Sequence, residues 1–147
     1  MKVREIMTRD VTTVAPGMSL AEAADMLARR RLRAMPVIDD EGHVLGMLTD
    51  RLLISRLLPG LERADAGAPL AGSAHAGEVR DIMERAVMCV KDDEPLANVV
   101  RLMLDKEIER FPVVREGQLV GFLTRGDIIR RLLLRDAAGE AEETKGE

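Results

Sequence analysis

Aromatic side chains are nearly missing from this chain: of 147 residues only Phe111 and Phe122 carry a benzene ring, and Trp and Tyr do not occur. The core is therefore expected to be aliphatic, and recognition of single-stranded nucleic acid by base stacking loses its platforms. One cysteine, Cys89, excludes an internal disulfide and gives no metal-ligand spacing; on an apolar strand it reads as a small buried hydrophobe. The two histidines, His43 and His75, lack a neighbouring cysteine or second ligand pattern, which favours plain surface positions. No apolar run approaches the roughly 18 residues of a spanning helix, and the N-terminus has no signal-peptide core, so a cytoplasmic soluble chain is expected. A net charge of −4 exerts no broad pull toward nucleic acid or anionic membrane. The basic run RRRLR at 29–33 is equally well a solvated helix end. No histidine lies near a nucleophile, and neither a phosphate-cradling glycine loop nor a metal-ligand cluster occurs, which argues against an enzyme.

What is present is an internal repeat. VREIM at 3–7 recurs as VRDIM at 79–83, MPVID at 35–39 as FPVVR at 111–115, and GMLT at 46–49 as GFLT at 121–124. The order is kept throughout, and the turn DDEG of the first copy shortens to REG in the second. Each copy reads as an amphipathic lead-in, a strand (11–14; 87–90), a helix, two strands joined by an acidic glycine-ending turn (35–38 with 43–48; 111–114 with 118–123), and a closing helix (about 51–58; 127–135). Ser19 and Glu22 have capping-box spacing, and Pro95 stands at the equivalent helix start. Leu20, Ala23, Ala24 and Leu27 form an apolar stripe that Leu96, Val99, Val100 and Met103 repeat. Each β-α-β-β-α unit is small enough to be marginal alone and has an apolar sheet face that needs cover, so the α+β fold is expected to pack two of them against each other. The expected boundaries are 1–58 and 79–135 for the repeats, a flexible Ala/Gly/Pro-rich linker at 59–78, and a disordered acidic tail at 136–147.

The chemistry gathers where each apolar strand meets a helix. Unpaired amides and the positive end of the helix dipole make that junction an anion site, and a threonine hydroxyl adds a donor. In the second copy Asp127 follows Thr124 by three residues, placing a carboxylate that can accept from two vicinal hydroxyls. Thr124 and Asp127 thus form a candidate clamp for the phosphate and ribose of a nucleotide, with Arg125 facing the phosphate across Gly126. Thr and Asp are also the commonest helix caps, so the capping reading stands beside it. The first copy has Leu52 where the second has Asp127, and its Asp50 reads as a cap.

The repeated hydrophobic-Pro-Val strand, the acidic turn and the G-h-h-T-x-x-D junction, as in FPVVR with GFLTRGD, resemble the cystathionine β-synthase (CBS) domain. A tandem pair is a Bateman module, and the resemblance implies two repeats packed through their sheets about a pseudo-two-fold. The resemblance covers about 3–58 and 79–135. It implies a regulatory, non-catalytic module without obligatory cofactor that binds AMP, ADP, ATP or S-adenosylmethionine between the repeats. It also implies a disc-shaped homodimer and an effector protein that receives the signal. Residue by residue, it assigns a main cleft to Thr124 and Asp127 with Val11, Thr12, Leu32, Arg33 and Ala34, and Arg110 as a phosphate-binding base. A second cleft falls to Thr49, Met88, Cys89, Ile108 and Glu109, expected to be weak because Leu52 cannot accept from a ribose hydroxyl. The alternative function is a ligand-free scaffold dimerising through the apolar helix 127–134.

Overall fold

Within the segments 1–70 and 76–134, which the computed structural model describes, five strands and seven helical segments form. His75, part of the linker, and the tail from 135 lie outside the described residues. The chain divides into two compact units, Met1–Val11 with the chain from Met88 onward, and Thr12–Val87.

In the unit Thr12–Val87, α1 (Leu20–Arg30) is capped by the Ser19 hydroxyl, which accepts from the Glu22 amide at 3.2 Å. β1 (Ala34–Ile38) and β2 (Val44–Thr49) pair antiparallel, with Ala34 opposite Thr49. Val14 adds a single parallel bridge to Val37 on the other side of β1. Of the strand expected at 11–14 only Val14 pairs, its amide donating to the Pro36 carbonyl and its carbonyl accepting from the Ile38 amide. α2 (Asp50–Asp65) runs past the expected end at 58 and through Pro59, so the first part of the expected linker is helical. A proline deletes one amide from the ladder, and Leu61, Glu62, Arg63 and Ala64 beyond it are good helix formers.

The other unit repeats this plan with β3 (Val90–Lys91) parallel to β4 (Arg110–Arg115), β4 antiparallel to β5 (Gln118–Thr124), and α4 (Leu96–Lys106) packed against them. The strand expected at 87–90 again survives only at its end. After Thr124 the chain makes a short α5 (Arg125–Ile128) and continues in wide π-type turns, Ile129–Leu134, so the closing helix begins two residues earlier than expected.

The lead-ins exchange partners. Val3, Ile6 and Met7, from the start of the first repeat, are buried in the core of the second with Val90, Val99, Phe111, Val113 and Leu123. Val79 and Met83, from α3 (Val79–Ile82) and the residue after it, fill the core of the first with Val14, Leu27, Met35 and Leu48. Each lead-in ends on a sheet edge: Thr8 bridges Phe122 of β5, and Glu84 bridges Met47 of β2. The repeated glycines make room for this crossing. A Cβ on Gly46 would meet the Glu84 carbonyl at 2.5 Å, and one on Gly121 would collide with Met7 Sδ.

Asp92, 4% exposed, fastens the first lead-in: its backbone carbonyl accepts from the Arg4 amide, and its carboxylate accepts from the Arg115 guanidinium. Those Arg115 hydrogen bonds hold the Asp92 carboxyl below the usual aspartate range, with the charges of Arg115 and Arg4 adding to them. A depressed folded pKa stabilises above the unfolded pKa and is lost as pH falls through the carboxylate range. Asp92→Asn is therefore less stable than the parent at pH 7 by urea denaturation, with the gap closing below about pH 4. A gap that stays constant from pH 7 to 3 would contradict this role. Among the described residues no helix is long and apolar enough to cross a membrane.

Candidate functional site

The strand-to-helix junctions of the two units share one local design. Thr49 Oγ1 accepts from the Leu52 amide at 3.2 Å, and Thr124 Oγ1 accepts from the Asp127 amide at 3.1 Å. The amide of the residue after each threonine donates to the carbonyl that precedes the sheet pair, Asp50 to Arg33 and Arg125 to Glu109. Both threonines are thus caps, as local physics demands. Asp50 is not the cap; its carboxylate accepts from the Arg51 amide at 2.7 Å within the first turn.

The units differ in the third side chain. Asp127 is 4% exposed, and both of its carboxylate oxygens accept hydrogen bonds. Its Oδ2 accepts from the Thr124 amide at 3.0 Å, completing a capping box. Its Oδ1 accepts from Thr8 Oγ1 and from Arg130, each at 3.0 Å. Thr8 and Arg130 were not among the residues expected from the sequence. The i, i+3 spacing of Asp127 and Arg130 on one helical face was a usable signal; Thr8, 119 residues away, offered none. At the equivalent place in the other unit, Leu52 replaces the acid, and the lead-in residue that replaces Thr8 is the exposed Glu84.

The candidate phosphate partners converge on an acid. Arg125 donates to Glu109 Oε1 at 2.8 Å and Arg110 to Glu109 Oε2 at 3.3 Å. Glu109, expected in the second cleft, thus joins on one carboxylate the two arginines expected in the first. Ile108 and Glu109 line a groove of about 600 Å³ with Arg125, Ile128 and the α4 residues Val100 and Met103. Of the remaining residues, Val11 is half-buried, Met88 is exposed, and Cys89 is half-buried, its thiol pKa raised by that burial. These stand in the same unit as Asp127. Thr12, Leu32, Arg33, Ala34 and Thr49 belong to the other unit, where Arg30 donates to Thr12 Oγ1 at 3.0 Å and Leu32 packs against the core. Asp39, Glu41 and His43 bring one ligand atom each within 4.8 Å at the β1–β2 turn. Asp39 also accepts from the Glu41 and His43 amides, which is what fixes that turn.

A duplicated α+β unit with a capped Thr junction at the end of each sheet defines a tandem-repeat architecture. The chain belongs to the CBS domain family, whose model matches residues 3–59 and 79–134. It is 29% identical to the CBS domain-containing protein YhcV of Bacillus subtilis over 95% of this chain and 91% of that protein. A crystal structure of CBSX2 in complex with AMP superposes with a TM-score of 0.75 at 29% identity, covering 92% of this chain and 98% of that one; CBSX2 is a CBS-pair protein of Arabidopsis thaliana. The CBS domain pair of protein MJ0100, in complex with 5′-methylthioadenosine and S-adenosyl-L-methionine, superposes with a TM-score of 0.67 at 25% identity, covering 92% and 98%. The chain spans 42% of the uncharacterized protein MJ1225 of Methanocaldococcus jannaschii and 23% of the inosine-5′-monophosphate dehydrogenase of that organism, at 29% and 28% identity.

Proposed function

We propose that the chain is a cytoplasmic, non-catalytic regulatory module that binds an adenine nucleotide or related adenosyl ligand and passes its occupancy to a partner protein. One observation carries this reading: a buried carboxylate, Asp127, stands at a threonine-capped helix start with Arg110, Arg125 and Arg130 in the same unit. A carboxylate so placed accepts from ribose hydroxyls, and the arginines suit a phosphate. The AMP of CBSX2 and the adenosyl compounds of MJ0100 support the ligand class. The roles of Val11, Thr12, Leu32, Arg33 and Ala34, and of Met88, Cys89 and Ile108 with Thr49, rest on the family resemblance alone. Because Leu52 stands where the other junction has its acid, one ligand per chain is expected. Isothermal titration of the full chain with AMP, ADP, ATP and S-adenosylmethionine gives saturable heat with at least one of them, at a stoichiometry near one. No saturable heat with any of the four removes the reading.

A second reading, a dimerising scaffold, is favoured by the exposed Leu104, Ile129, Leu133 and Leu134, with exposures of 75, 50, 66 and 60%. The same surface suits a second copy of the chain in a ligand-binding homodimer. Ligand-free scaffolding is distinguished by a thermal midpoint that no nucleotide moves.

A further inference from the structure

Arg110 and Arg125 meet Glu109, whereas Arg130 donates to Asp127 itself. A carboxylate offers about four acceptor positions. Three are taken in this structure, by the Thr124 amide, the Thr8 hydroxyl and Arg130. Two vicinal hydroxyls need two positions, so one protein donor must leave. The Thr124 amide is fixed by the helix cap, and Thr8 is half-buried and pinned by paired backbone bonds to Phe122 at 2.8 and 2.9 Å. Arg130 is different: its side chain is 64% exposed against 6% for that of Asp127, so it covers the carboxylate from the solvent side. Its guanidinium also lies over Gly126, where an added Cβ would meet Nη1 at 2.9 Å.

We propose that Arg130 sets the ligand class of this site. It releases the Asp127 carboxylate to a vicinal diol only when the same ligand brings an anion to receive the guanidinium beside Gly126. This rests on the assignment of Asp127 to ribose. A nucleoside phosphate meets both conditions. Uncharged nucleosides such as adenosine and 5′-methylthioadenosine offer the diol without an anion and strand the cation.

Titration calorimetry of the full chain with AMP, adenosine and 5′-methylthioadenosine, on the parent, Arg130→Gln and Arg130→Lys, tests the proposal. The parent prefers AMP over both others. Arg130→Gln narrows the AMP-to-adenosine affinity ratio by about tenfold or more, the size of one charge-assisted contact, and binds adenosine at least as well as the parent. Arg130→Lys keeps part of the AMP preference. If the parent binds AMP but Arg130→Gln leaves the ratio unchanged, or if the parent takes 5′-methylthioadenosine as tightly as AMP, the role of Arg130 is overturned while the ribose assignment stands. If no adenosyl ligand binds the parent, the ribose assignment falls, and the proposal with it. Unchanged far-ultraviolet circular dichroism of the exposed-site variants separates these results from misfolding.

Discussion

Asp127→Ala lowers AMP affinity by about ten- to a hundredfold in titration calorimetry, because two charge-assisted hydrogen bonds to ribose disappear together. The same substitution removes the capping box and leaves the Thr124 amide and the Thr8 hydroxyl without their acceptor. A further loss of about 1 kcal/mol in folding stability accompanies it, the ordinary value of a cap. Asp127→Asn separates the two effects. Its amide oxygen can still accept from the Thr124 backbone and hold the turn, yet the charge that draws ribose hydroxyls is gone. Asp127→Asn therefore keeps most of the stability and loses most of the affinity. Retention of AMP affinity within twofold in both variants would reduce Asp127 to a helix cap.

Gly46→Ala destabilises the unit Thr12–Val87 by about 2–3 kcal/mol in urea denaturation. The added methyl meets the Glu84 carbonyl at 2.5 Å and Met83 Sδ at 2.9 Å. The carbonyl cannot give way, since Glu84 and Met47 exchange both backbone bonds at 2.9 Å. Gly121→Ala makes the informative contrast. Its nearest obstacles are Met7 side-chain atoms, which can change rotamer, and the backbone Thr8 carbonyl is farther, at 3.0 Å. A smaller loss is expected there. Gly46→Ala behaving as a surface substitution, within about 0.5 kcal/mol of the parent, would show that the crossing is loose.

Much of this architecture was legible in the chain. The stripe Leu20, Ala23, Leu27 and its counterpart Leu96, Val99, Met103 are the buried faces of α1 and α4, because three-and-four spacing leaves a helix little choice of side. The hairpins fell where alternating apolar runs met turns closed by Gly42 and Gly117, both at positive φ. The exchange of lead-ins was not legible: VREIM and VRDIM carry the same apolar positions, and each core ends in the same glycine, so nothing local says which lead-in enters which core. The length of α2 was hidden by Pro59, which reads as a breaker because it removes a donor and crowds the carbonyl four residues back, yet the helix continues to Asp65. At the site, threonine, acid and neighbouring arginines were visible as a motif. What Asp127 touches was not, since Thr8 reaches it from the far end of the chain.

The exchanged lead-ins change what counts as a separable piece of this molecule. Cutting at the boundary between the repeats does not yield two complete halves. Each half carries off a segment that its sister needs to close its core, much as two protomers do when they swap an arm. A continuous stretch that keeps its own core intact is Thr12–Val87; its counterpart is assembled from both ends of the polypeptide. Duplication here did more than place two copies in tandem: it made each copy custodian of the other's closing piece, so neither can be inherited, excised or transplanted at its sequence boundaries alone.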